Sequence, residues 1–187
     1  MKIRFLILTA ALLGVGSSAM ADLQLSAGGL YARGEDEESF GFDASVGFYS
    51  KHSTSSLASC LSLTYMGISS IEENGVDFDL DSSYSVVGLD YKLYFPLMQD
   101  SGLSLFLEGL AGASNTTSEA KTAIGHLDVE EWGFTYGLGA GLEYDFTENI
   151  GLSLSYLYLG LDEPNDSGYS LGASSLHLVR LDLVVRF

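Results

Sequence analysis

Bases are scarce in this chain. Eight Lys and Arg stand against 25 Asp and Glu, giving a formal net charge of −17. That balance excludes a nucleic-acid binder, because such a surface repels phosphate. Cysteine is scarcer still. The single Cys60 excludes a disulfide scaffold. Proline occurs twice, so little interrupts a regular backbone. Charged residues reach only 18%, below the usual quarter for a soluble domain. No apolar run approaches the roughly 20 residues that a membrane-spanning helix needs. What the chain has instead is 22 Gly, 11 Tyr, 10 Phe and 47% apolar residues. An acidic disordered tail is therefore excluded as well. Its 187 residues amount to one domain.

The first 21 residues have the form of an export signal. Lys2 and Arg4 open it, Phe5 to Val15 is a short apolar run, and Ala19-Met20-Ala21 fits the small-residue cleavage pattern. The domain division is therefore a signal peptide over 1–21 and a mature domain over 22–187. No cysteine follows the apolar run, so no lipid attachment is expected at the new N-terminus. An exported chain without an apolar helix is either soluble outside the cytoplasm or inserted as a barrel of strands.

Period two decides the fold class. Over 132–146, Trp132, Phe134, Tyr136, Leu138, Ala140, Leu142, Tyr144 and Phe146 occupy one parity. Gly133, Thr135, Gly137, Gly139, Gly141, Glu143 and Asp145 occupy the other. A helix would mix the two sets, whereas a strand separates them. The same alternation predicts eight strands near 23–32, 40–49, 57–66, 84–95, 103–113, 132–146, 150–160 and 175–187. Short breaks fall at 50–56, 96–102 and 147–149, longer ones at 67–83, 114–131 and 161–174. The first outer break, 33–39, is as short as a turn.

Which face meets water separates two barrels. A soluble barrel carries charge outside and grease inside. Here the polar parity is mostly Gly, Ser and Thr, which suits the crowded interior of an eight-stranded barrel. The other parity carries almost no charge, as hydrocarbon requires. Strands two, four, six and eight end at Phe48, Phe95, Phe146 and Phe187, all apolar by parity. Tyr31, Phe40, Tyr65, Trp132 and Tyr158 stand at the opposite rim. Two aromatic rings bounding an apolar band match the two bilayer interfaces. The expected fold is an all-β, closed, eight-stranded, antiparallel up-and-down transmembrane barrel. Its short turns and both chain ends face the periplasm.

With those features the chain resembles the small OmpA/OmpX-type outer-membrane barrels. The resemblance is architectural and spans the mature chain. It rests on the export signal, the eight alternating strands and the closing Val179-x-Leu181-x-Leu183-x-Val185-x-Phe187. It implies location in the cell outer membrane among lipid and lipopolysaccharide. It also implies that the closing strand and its Phe187 are the signal read by the barrel-assembly machinery. OmpA-type proteins often continue into a peptidoglycan-binding domain. This sequence stops with the barrel, so no cell-wall tether is expected.

Candidate functional residues follow from parity. Asp43, Asp90, Lys92, Glu108, Glu143, Asp145, Arg180, Asp182 and Arg186 point into the lumen. Buried charges survive when paired, so a salt-bridged plug is the first reading, and a gate or ion path the second. Six acids face three bases, so the excess carboxylates need protons or a cation. Sixteen of the 25 acids fall in the four outer breaks, among them Glu35-Asp36-Glu37-Glu38, Glu72-Glu73, Asp77, Asp79 and Asp81. These outer acids are read as solvated segments that repel one another. Divalent cations or an extracellular ligand are possible partners there. Asp77-Phe78-Asp79-Leu80-Asp81 opens like a calcium loop, but Ser82 and Gly88 stand where Gly and a closing acid belong. Alternation instead extends strand four through 77–81.

Catalysis finds no support in the sequence. His52, His126 and His177 are scattered, and none opens the His-x-Ser pair of barrel lipid deacylases. No phosphate loop, metal-spaced histidine pair or G-x-S-x-G is present. Cys60 lies on the small-residue parity with no base nearby in sequence. The sequence therefore reads as a non-enzymatic monomer without a cofactor. Its role is structural or adhesin-like surface interaction, with a narrow channel and a lipid-modifying enzyme as the rival readings.

Overall fold

The computed structural model describes residues 21–34, 38–51, 57–74, 78–97, 101–122, 125–161 and 175–187. Eight strands run in chain order: β1 (Asp22–Arg33), β2 (Glu38–Lys51), β3 (Ala58–Asn74), β4 (Phe78–Pro96), β5 (Leu103–Thr122), β6 (Gly125–Asp145), β7 (Ile150–Leu161) and β8 (Ser175–Arg186). Each pairs antiparallel with its neighbours in sequence, and β1 pairs with β8 to close the barrel. Closure removes both sheet edges over the paired span. No described helix is long and apolar enough to cross a membrane.

The faces follow the two parities. Along β7, Leu152, Leu154, Tyr156 and Tyr158 are exposed, while Gly151, Ser153, Ser155, Leu157 and Leu159 are buried. Leu154 is 51% exposed and Ser153 0%. The greasy side of the sheet is its outside. Phe48, Phe146 and Phe187 stand exposed at the rim where β1 begins and β8 ends, with Phe95 half-buried beside them. Phe40, Tyr65, Trp132 and Tyr158 are exposed at the other rim, with Tyr31 half-buried against Phe40.

Two sequence expectations need correction. The breaks at 67–83 and 114–131 are largely strand, because β3 to β6 continue well past the apolar band. β6 reaches 21 residues and β5 20, against 12 in β1, β7 and β8. The alternation that marks a strand in lipid stops at the bilayer edge. Beyond it, Ser, Thr and Asn pair in water without an apolar parity to reveal them. The extension of strand four through Asp79 and Asp81 is present. Glu35 to Glu37, Asp77, His52, the export signal and most of the 161–174 break lie outside the described residues.

The second correction concerns the lumen. Its inner half, toward the chain ends, is polar as expected. Its outer half is filled by Leu30, Met66, Ile68, Tyr84, Val86, Leu110, Leu157, Leu159, Leu176 and Leu178, all buried together. Both parities are apolar in these stretches of β7 and β8, so the sequence alternation is blurred there.

The candidate functional site: a charged lumen under an apolar cork

Three levels fill the barrel. At the inner end Arg186 is the hub. Its Nε donates to Gln24 Oε1 at 3.0 Å, its Nη1 to Asp145 Oδ1 at 2.7 Å and its Nη2 to Glu143. The guanidinium stacks over the Tyr49 ring at 4.1 Å. Tyr49 joins Ala58, Cys60, Tyr94 and Phe106 in a small buried cluster. Cys60 is thus a packed, unbridged side chain.

The middle level holds Asp43, Asp90, Lys92, Glu108, Arg180 and Asp182, all buried. Arg180 donates through Nη2 to Glu108 and through Nε to Ser155 Oγ at 3.1 Å. Lys92 Nζ lies 3.9 Å from Asp90 and 4.0 Å from Glu108, and 5.0 Å from the Phe106 ring centroid. Gly139 makes room for this cluster. A Cβ there would sit 2.5 Å from Glu108 Oε1 and would collide with the Tyr156 carbonyl. The cations of this level are therefore turned toward β4 and β5. Asp43 and Asp182 stand on the other wall, on β2 and β8.

Above this level sits the apolar cork. Among the described residues its side chains are mainly apolar, and apolar groups do not replace the partners that a buried ion needs. The structure buries eight of the nine lumen charges and leaves Asp145 half-exposed at the inner end. Seven of the nine join two ion-paired networks, while Asp43 and Asp182 have no ion pair among the described residues. Sequence reasoning missed the cork and the role of Gln24, Ser155 and Tyr49 as partners. Register, not composition, brings those residues to the charges. His177 lies outside the barrel wall, where the Tyr156 hydroxyl bonds its Nδ1 at 2.5 Å and the Tyr158 ring packs edge-on. It shares no face with the lumen acids. His126 pairs in register with Lys121 on β5.

A closed eight-stranded barrel with a greasy exterior, aromatic rims and a filled interior defines the class of small outer-membrane barrels. The model of the outer membrane protein beta-barrel domain matches residues 7–178, and the chain belongs to that family. Membership carries location in the outer membrane.

Among solved structures the chain is similar to a major outer membrane protein from Thermus thermophilus. The two are 15% identical, the match covers 89% of this chain and 99% of that one, and the TM-score is 0.66. It is similar to Neisserial surface protein A, at 15% identity, 89% and 97% coverage and a TM-score of 0.58. It is also similar to Ail, the attachment invasion locus protein of Yersinia pestis, at 17% identity, 89% and 97% coverage and a TM-score of 0.54. At these identities the likeness is one of fold. No curated protein matches the chain.

Proposed function

We propose that this protein is a surface-interaction barrel, in which the membrane part anchors and the extended strands β3 to β6 make contact outside the cell. One observation carries the reading. The β2–β3 ladder ends at Gly41–Ile68 and the β6–β7 ladder at Thr135–Leu161. The ladders between β3 and β6 continue to Asn74–Asp79, Phe78–Thr122 and Thr122–Gly125. A four-stranded sheet therefore stands above the bilayer. Among the described residues its outer β3 and β6 segments have a ladder on one side only. Such edges accept a partner strand.

Charge selects the partner. Glu72 pairs with Asp81, Asp81 with Glu119, and Glu119 with Asp128. This places four acids in one register row across four strands. Like charges directly opposite weaken a sheet. A cationic segment or bridging divalent cations would relieve the repulsion. Ail has been solved with the heparin analogue sucrose octasulfate, a polyanion. The acidic row here favours the opposite ligand charge.

The export signal over 1–21, recognition of the Phe187 strand by the assembly machinery, lipopolysaccharide as neighbour and a monomeric state complete the proposal. The apolar cork disfavours the channel reading. Replacing residues 117–130 by a two-residue turn should leave a barrel that still shifts on gels when heated. Bacteria displaying it should adhere to host matrix no better than bacteria without the protein. Undiminished adherence would contradict the role given to the raised sheet.

A further inference from the structure

The lipid face over the closing strand β1 differs from the rest of the wall. At the outer rim one register row runs through Tyr158 on β7, His177 on β8, Arg33 on β1 and Glu38 on β2, all exposed. Neighbours in such a row stand about 5 Å apart. With the Tyr156 hydroxyl donating to His177 Nδ1 at 2.5 Å, the imidazole proton sits on Nε2. The Tyr158 ring packs edge-on against the imidazole, with centroids 5.4 Å apart. Arg33 makes no ion pair among the described residues, Glu38 included. The other described bases stand inside the lumen, apart from Lys51 at the inner rim and Lys121 on the raised part of β5.

Toward the middle of the band, the outer parity of β1 shrinks to Gly29 and Ala27, both exposed. Gly29 pairs with Phe42 and Leu181, and Ala27 with Ala44 and Leu183. Leu181 and Leu183, exposed on β8, form one bank. On the other side the Phe42 ring is turned over β3, where a Cβ at Gly67 would lie 2.9 Å from its Cε1. Tyr31 likewise packs on Phe40 of β2, with centroids 5.5 Å apart. A Cβ at Gly29 would meet nothing within 4 Å. A trough therefore descends the lipid face from Arg33.

We propose that this face seats one phosphorylated lipid of the outer leaflet, with its phosphate on Arg33 and His177 and one acyl chain in the trough over Gly29 and Ala27. The site rests on the reading above that lipopolysaccharide is the barrel's neighbour. A guanidinium offers phosphate a fork of donors, and the imidazole Nε2–H adds another from the adjacent strand. The row lies at the outer aromatic rim, the depth at which headgroups stand. A chain of net charge −17 repels anions elsewhere, so this local pair of donors marks where one is admitted. Glu38 opposes the phosphate, but it ends the row on the side of Arg33 away from His177. Free phosphate would use the donors and leave the trough unfilled, whereas a lipid uses both.

The test is native mass spectrometry of the purified barrel in detergent with added diphosphoryl lipid A. The native protein should hold one lipid A. R33A and H177A should each weaken retention about tenfold, the scale for losing a hydrogen bond to a charged group. G29L should also weaken it by filling the trough, and E38Q should hold the lipid at least as tightly. Lipid A stripped of its phosphates should be lost from the native barrel, and inorganic phosphate at the same concentration should not displace the intact lipid. Four results would overturn the proposal: no lipid held by the native protein, retention unchanged in both R33A and H177A, equal retention of the phosphate-free lipid, or displacement by inorganic phosphate. Each variant is first checked for the heat-dependent gel shift of a folded barrel, and R33A and H177A decide if G29L fails it. Lipopolysaccharide that co-purifies with the barrel tests the neighbour separately, so its absence beside retention of added lipid A would contradict that reading and leave the site standing.

Discussion

Leu183→Arg should prevent insertion, or cost the inserted barrel about 2–4 kcal/mol. Leu183 is 51% exposed on the outer face of β8, between the aromatic rims. A guanidinium there meets hydrocarbon with no partner to receive its protons. The lumen control is Ser153→Ala on the neighbouring strand. Ser153 is fully buried beside Asp182, and its hydroxyl makes no hydrogen bond in the structure, so its removal should cost less than about 1 kcal/mol. Reversible unfolding in urea from lipid vesicles measures both. Equal costs at the two positions would mean that the faces are misassigned.

Arg180→Ala should cost about 3–5 kcal/mol, the range for removing one partner of a buried ion pair. Arg180 is among the largest fully buried side chains, and its Nη2 binds a Glu108 side chain with no solvent exposure. Without it, Glu108 keeps only Lys92 at 4.0 Å, which it already shares with Asp90. Ser155 also loses the donor that reaches its Oγ. Arg180→Lys should recover part of the loss. It restores charge but not the fork that reaches Ser155 and Glu108 together. The same urea measurement applies, and a loss below about 1 kcal/mol for Arg180→Ala would mean that the charges do not act as a network.

The barrel itself was legible because lipid imposes a strict rule on every strand it touches. In β6 the residues from Trp132 onward alternate in the sequence; the face assignment holds, and the strand ends at Asp145, one residue before the expected Phe146. Elsewhere the rule weakens. Outside the bilayer neither parity must be apolar, so Asn115 to Thr122 read as a break although it continues β5. Inside the outer lumen both parities are apolar. Leu157 and Leu159 therefore alternate with Tyr156 and Tyr158 without contrast, and the cork they help to form was hidden. The lumen charges were found by parity alone. Their partners were not, because pairing depends on the stagger between strands, which spacing along one chain does not contain. Asp43 and Asp182, far apart in sequence, both stand in register with Gly28 through the closing ladder, and only closure reveals it.

Nitroxide labels placed singly along β7 test the central claim most directly, in a Cys60→Ser background. Collision with dissolved oxygen reports lipid, and collision with a water-soluble nickel chelate reports water. Positions 152, 154, 156 and 158 should collide freely with oxygen and little with nickel. Positions 153, 155 and 157 should meet neither reagent. Frequent nickel collisions at 153 and 155, with 154 shielded from both, would place the glycine and serine side in water and contradict the account.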